Sequence, residues 1–178
     1  MRVEERRSLN GRRWSVRAAE ADVVGALQRS LDCHPVAAQV FAVRGADSAF
    51  FASSAADLLP PDSMLGLPEA LARLERARLE RQHIRLVTDY DVDGTTSCLI
   101  LHAALDRLGG ATVSYHIPDR FTEGYGLSLR AVETAAAEGV HLIVTADIGV
   151  RDHASVRRAA ELGVDVLVCD HHLPAGES

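Results

Sequence analysis

From residue 84 onward, apolar and polar positions switch between two rhythms. IRLVTD (84–89), ATVSYHI (111–117), HLIVTAD (141–147) and DVLVCD (165–170) are short apolar runs rich in β-branched side chains, and each reads as a strand. Between them, TSCLILHAALDRLG (96–109), LSLRAVETAAAEG (127–139) and DHASVRRAAELG (152–163) place apolar residues at helical spacing and stop at glycine. Strands alternating with helices of about ten residues or more need crossover connections. The pattern therefore predicts an α/β fold, a parallel sheet with helices on both faces.

The upstream third reads differently. LPEALARLERARLER has leucines at 67, 71, 74 and 79 with charges between them, which predicts an amphipathic helix beginning near Pro68. Before it, SSAADLLPPDSMLGLP contains three prolines and a glycine and reads as a linker or docking loop. Short helical patterns occupy 20–31, 35–43 and 47–52. Residues 1–17 hold six arginines against two glutamates, with Trp14 among them. Two readings stand for this stretch, a nucleic-acid-binding arm or a charged, solvated terminus. The expected organisation is a basic arm, short helices and linker over 1–66, then an α/β domain over 67–178.

Composition removes several chemistries. The chain has 178 residues, 47% of them hydrophobic, enough for a real core, and its net charge of -6 offers no global attraction to nucleic acid. All 19 basic residues are arginine, so Schiff-base chemistry and a Walker-type phosphate loop, which need a lysine amine, are excluded. Cys33, Cys98 and Cys169 are widely spaced and form no CxxC pair, so they read as reduced, buried thiols. The N-terminus is too polar for a signal peptide, and no apolar run spans a membrane; the expected location is cytoplasmic.

The unusual polar residues gather at one place in each unit. Asp89, Asp91 and Asp93 follow the first strand, Asp119 and Arg120 the second, Asp147 the third, and Asp170, His171 and His172 the fourth. Open α/β sheets bind ligands at the carboxyl ends of their strands, so four loops converge on one edge. The stretch TDYDVDGTTS (88–97) fits the start of a calcium loop, but the twelfth position, where a bidentate glutamate is required, is Ile100. It also fits a haloacid-dehalogenase-like phosphatase, with Asp91 as nucleophile and Asp93 as general acid, although the lysine of such enzymes is missing. A third reading is a two-metal centre built from Asp89, Asp91, Asp93, Asp147, His171 and His172. Mixed oxygen and imidazole donors suit manganese or magnesium. Taken singly, each of these motifs also occurs in ordinary turns and helix caps.

The ordered set DYDVDGTTS, IPDRFTEGYGL, TADIGV and CDHH resembles the DHH phosphoesterase superfamily and, within it, the RecJ-type single-strand-specific exonucleases. The resemblance implies 5′-to-3′ hydrolysis of single-stranded DNA with two Mn2+ or Mg2+ ions, in recombination and repair, without a nucleotide cofactor. It implies metal ligation by Asp89, Asp91, Asp93, Asp147 (bridging) and His171, with His172 either a ligand or a contact to the scissile phosphate. Catalysis would rest on Asp91, Asp93 and His172. Arg120 is the candidate phosphate fork, against the alternative of an ion pair with Asp119 or Glu123. Gly124 and Gly126 are read as turn residues, and Tyr125 as packing or stacking on a base. Three positions depart from the family pattern: Thr88, Asp119 and Ile148. The family continues into a further ligand aspartate and a second domain, whereas Ser178 follows His172 by six residues, so the expectation is a truncated copy. Such a copy would either retain weak activity or only bind metal or nucleic acid, and its incomplete sheet edge would invite association.

Overall fold

The computed structural model describes residues 2–47, 49–52 and 54–174. The chain divides into two compact units, Met1–Pro60 and Pro61–Ser178.

The first unit opens with β1 (Arg2–Arg7) and β2 (Arg13–Ala18), which pair antiparallel with Arg7 opposite Arg13 and Arg6 opposite Trp14. The sequence reading had no strand here, only a charged arm. The turn explains the difference: Gly11 takes φ +73 and its N–H donates to Ser8 O at 2.9 Å, so the Asn10–Gly11 step reverses the chain. Two helices follow, α1 (Ala21–Leu31) and α2 (Pro35–Arg44), both at their expected places. The pattern read at 47–52 yields a 3₁₀ turn over Ala49–Ala52, with Ser48 outside the described residues.

In the second unit a 3₁₀ turn (Pro61–Ser63) precedes α3 (Leu67–Leu79), which has Pro68 in its first turn. Four parallel strands then alternate with helices: β3 (His83–Thr88), α4 (Val92–Leu108), β4 (Thr112–His116), α5 (Leu129–Ala137), β5 (Leu142–Ala146), α6 (His153–Glu161) and β6 (Asp165–Cys169). The sheet order is β4-β3-β5-β6. Side-chain alternation sorts the two faces. Val87 and Ile143 join Val132, Ala135 and Ala159 of α5 and α6, while Ile84, Leu86, Leu142 and Val144 join Ala77 and Cys98 of α3 and α4. Helices thus cover both faces, as the sequence predicts, and β5 is buried along its whole length.

Order decides where the site lies. From β3 the chain crosses to β4 on one side, and from β5 it crosses to β6 on the other. The carboxyl ends of β3 and β5 therefore bound a topological switch point, the crevice where such sheets bind ligands. Asp89 and Asp91 follow β3, and Asp147 follows β5. Among the described residues no helix is long and apolar enough to cross a membrane.

One polar cluster lies away from that crevice. Ser114 Oγ accepts from Arg85 Nε at 2.7 Å and lies 2.6 Å from His83 Nε2. Burial, with the charge of Arg85, holds the pKa of His83 below its ordinary value. In the unfolded chain this ring protonates near its ordinary value of about 6.5. The unfolded state then binds the proton first, so stability falls as the pH drops from about 6.5 toward the lower native value. His83→Gln is expected to flatten that acid-side decline, read as a shallower slope of Tm against pH between roughly 7 and 5.

Candidate metal centre

The acidic loop is shaped by one aspartate and one glycine. Asp91 is the N-cap of α4, and its Oδ1 accepts from Gly94 N at 3.0 Å. The helix consequently starts at Val92, four residues before the position read from the sequence. Gly94 is buried where a Cβ would come within 2.2 Å of Asp89 O, so only glycine lets the first turn of α4 lie against the loop. Asp89 is buried, and its Oδ1 accepts from Tyr90 N at 2.8 Å.

Asp147 sits across the crevice in a left-handed conformation, φ +65, which aspartate tolerates better than most residues. Its N–H donates to Cys169 O at 3.0 Å, tying the loop after β5 to the end of β6. The TADIGV glycine has a reason of its own. Gly149 adopts φ +116, and a Cβ there would meet Thr145 Oγ1 at 2.7 Å.

Among the described residues two sets of possible ligand atoms emerge, each within 4.8 Å: Asp89 with Asp91 and Asp147, and Asp147 with His171 and His172. Asp147 belongs to both. Its Oδ1 lies 2.9 Å from His171 Nε2 and 3.9 Å from His172 Nδ1. Burial raises the Asp147 pKa, the hydrogen bond to His171 opposes the rise, and the neighbouring charge of Asp91 adds to it. Three carboxylates share the crevice without an arginine paired to them among the described residues, an arrangement that divalent cations would neutralise. The donor set therefore fits hard divalent ions. Asp93 is exposed on the first turn of α4 and lies outside both sets, although it lines a pocket with Asp147 and His171.

Asp170 has a different task, one the sequence reading left unassigned. Burial opposes its ionisation, but donors from the His172 and Val150 backbones and the His172 ring outweigh that and hold its pKa low. Its Oδ1 lies 2.7 Å from His172 Nδ1 and accepts from His172 N at 3.0 Å, while Oδ2 accepts from Val150 N at 3.0 Å. The same bond raises the His172 pKa, favouring a charged ring. Tyr125 is half exposed and is tethered by its hydroxyl. Its hydroxyl donates to Asp147 O at 3.1 Å and lies 3.3 Å from His172 Nδ1. Burial and the carboxylates of Asp170, Asp89 and Asp147 raise its pKa, which keeps it a donor. The turns that carry it are as read, with Gly124 at φ +79 and Gly126 at φ +98.

Arg120 forms neither of the ion pairs weighed for it. Asp119 caps Phe121 N and Thr122 N, and Glu123 binds His116 at 2.9 Å. The guanidinium instead lies over Tyr90, 4.4 Å from the ring centroid. Arg120, Tyr90, Phe121 and the hydroxyl-bearing Thr95 and Thr96 line a groove of about 630 Å³ that reaches Asp91. The phosphate candidate and the carboxylate cluster therefore share one continuous surface.

Comparison with known proteins gives a consistent result. Residues 83–178 match the sequence profile described as the DHH family, N-terminal domain. The chain is 36% identical over 170 residues to the single-stranded-DNA-specific exonuclease RecJ of Bacillus subtilis (strain 168), covering 93% of this chain and 22% of that protein. It is 39% identical over 160 residues to the same-named protein of Escherichia coli (strain K12), covering 89% of this chain and 27% of that one. A crystal structure of exonuclease RecJ bound to manganese aligns at TM-score 0.60 with 42% identity, over 67% of this chain and 30% of that chain. RecJ in complex with Mn2+ from Thermus thermophilus aligns at TM-score 0.59 with 31% identity, over 91% and 23% respectively. The chain spans about a quarter of the length of the curated relatives it matches.

Proposed function

Because the chain belongs to the DHH family, we propose that its parallel sheet carries the metal-binding part of a phosphodiesterase acting from the 5′ end of single-stranded DNA. The observation that carries this reading is the double membership of Asp147, one carboxylate common to both sets of possible ligands. Two divalent ions bound there would stabilise the charge on the attacking and leaving oxygens of an in-line displacement at phosphorus. Manganese or magnesium suits the donors, and RecJ relatives are known in manganese-bound form.

Each residue of the site then has a task. Asp89, Asp91 and Asp147 would hold one ion, and Asp147 with His171 would hold the second. His172 would serve the phosphate rather than a metal, since its Nδ1 lies 2.7 Å from Asp170 Oδ1 but 3.9 Å from Asp147 Oδ1. Tyr125 braces Asp147 through its carbonyl. Arg120 offers its fork to a substrate phosphate from the groove that includes Asp91. Asp93, on the rim of the His171 pocket, is the remaining acidic candidate for metal or water contact. The match to the DHH family favours the metal-centred reading over the phosphatase alternative with Asp91 as nucleophile.

The test uses the chain in excess over a 5′-labelled single-stranded oligonucleotide in manganese buffer. Labelled mononucleotide should be released, and Asp91→Asn should slow its release about a hundredfold or more without altering the circular dichroism spectrum. Release that persists in a chelator, or at full rate in Asp91→Asn, contradicts the proposal.

A further inference from the structure

The charge of the chain is unevenly shared. Residues 1–18 hold six arginines and two glutamates, net +4, which leaves −10 on the rest of a chain whose total is −6. Residues 2–18 of this stretch form the β1–β2 hairpin, in which Arg7 lies directly opposite Arg13. Like charges facing each other across an antiparallel pair destabilise it. Among the described residues, Arg7, Arg12, Arg13 and Arg17 form no ion pair that would offset this. Trp14, beside them on β2, is 59% exposed, although tryptophan is on average a strongly buried residue. Folding of the hairpin explains neither the facing arginines nor the open indole.

We infer that this hairpin is a separate binding element for single-stranded DNA, its arginines holding phosphates and Trp14 stacking on a base. A polyanion turns the Arg7–Arg13 repulsion into attraction, and arginine presents a planar fork to phosphate oxygens. The exposed indole selects single strands, because a duplex keeps its base faces stacked on each other while a single strand offers them to an aromatic ring. An acidic protein surface would satisfy the charge but leave the ring without a stacking partner. The inference takes its class of partner from the nuclease reading and none of its metal chemistry, so the two fail separately.

Trp14 is the chain's sole tryptophan, so its emission reports on this element alone. The full chain is titrated with oligothymidylate in the presence of a chelator. Emission should be quenched, with an affinity that falls steeply as salt rises. The double substitution Arg7→Gln with Arg13→Gln, both at exposed positions, should weaken binding about tenfold and flatten the salt dependence. An abasic oligomer of equal length should bind without equal quenching. For Trp14→Leu, loss of affinity is read from the anisotropy of a labelled oligonucleotide. Unchanged emission at saturating oligonucleotide overturns the inference. So does equal quenching by the abasic strand or by polyglutamate, or tighter binding of a duplex. Loss of quenching with hydrolysis intact sinks this inference alone; quenching without hydrolysis sinks the nuclease reading alone.

Discussion

Asp147→Asn is expected to abolish binding of the second divalent ion, weaken the first by about two orders of magnitude, and lower hydrolysis about a thousandfold or more. Asparagine is the informative replacement because it tolerates φ +65 almost as well as aspartate, so the loop between β5 and α6 keeps its shape. What disappears is one negative charge from the carboxylate that both ligand sets share. Tyr125 still donates to the backbone carbonyl of residue 147, and the N–H still meets Cys169 O. A loss under these conditions belongs to the metal centre and not to the fold. Calorimetric titration with manganese, beside a thermal melt of the apo chain, separates the two. Unchanged stoichiometry in the variant would show that Asp147 is not the shared ligand.

The second large effect is steric. Gly94→Ala forces a methyl group to within 2.2 Å of a backbone oxygen, that of Asp89, and a backbone atom cannot swing aside as a flexible side chain can. Either the first turn of α4 lifts or the acidic loop shifts, and both moves separate Asp89 from Asp91. The expected cost is about 3 kcal/mol, at the upper end of typical overpacking. That corresponds to a fall in Tm of roughly 6–12 °C for a chain of this size. Manganese affinity should fall with it. Gly139→Ala is the control: its Cβ meets nothing within 4 Å, and only its φ of +72 is unfavourable, so about 1 kcal/mol is expected. Equal losses at the two positions, measured by denaturant unfolding, would mean that the close approach at Gly94 is tolerated.

What could be read from the sequence followed the strength of the periodic signal. The four strands and their crossover helices were legible because each strand is a short apolar run closed by polar residues, and a parallel sheet buries its centre on both faces. Convergence of Asp91, Asp147 and His171 followed from the same pattern, since strand ends of a doubly wound sheet share one edge. The hairpin was not legible, although Arg13–Trp14–Ser15–Val16–Arg17 alternates and Asn10–Gly11 is a hairpin dipeptide, because dense arginine masks the short apolar period. The start of α4 was placed too late because DVDG was read wholly as a ligand loop, when Asp91 caps the helix with one oxygen while belonging to a ligand set. The contacts of Tyr125 and Asp170 were beyond any spacing rule. They depend on where the loops after β4 and β6 lie relative to Asp147, which only tertiary packing decides.

The proposed function requires a single carboxylate shared by two cation sites at the switch point of the sheet. Paramagnetic resonance of the manganese-loaded chain tests this directly. Two ions per chain with mutually coupled spectra, the coupling removed by Asp147→Asn, are the expected result. One isolated ion, or two ions whose signals stay independent, would contradict it.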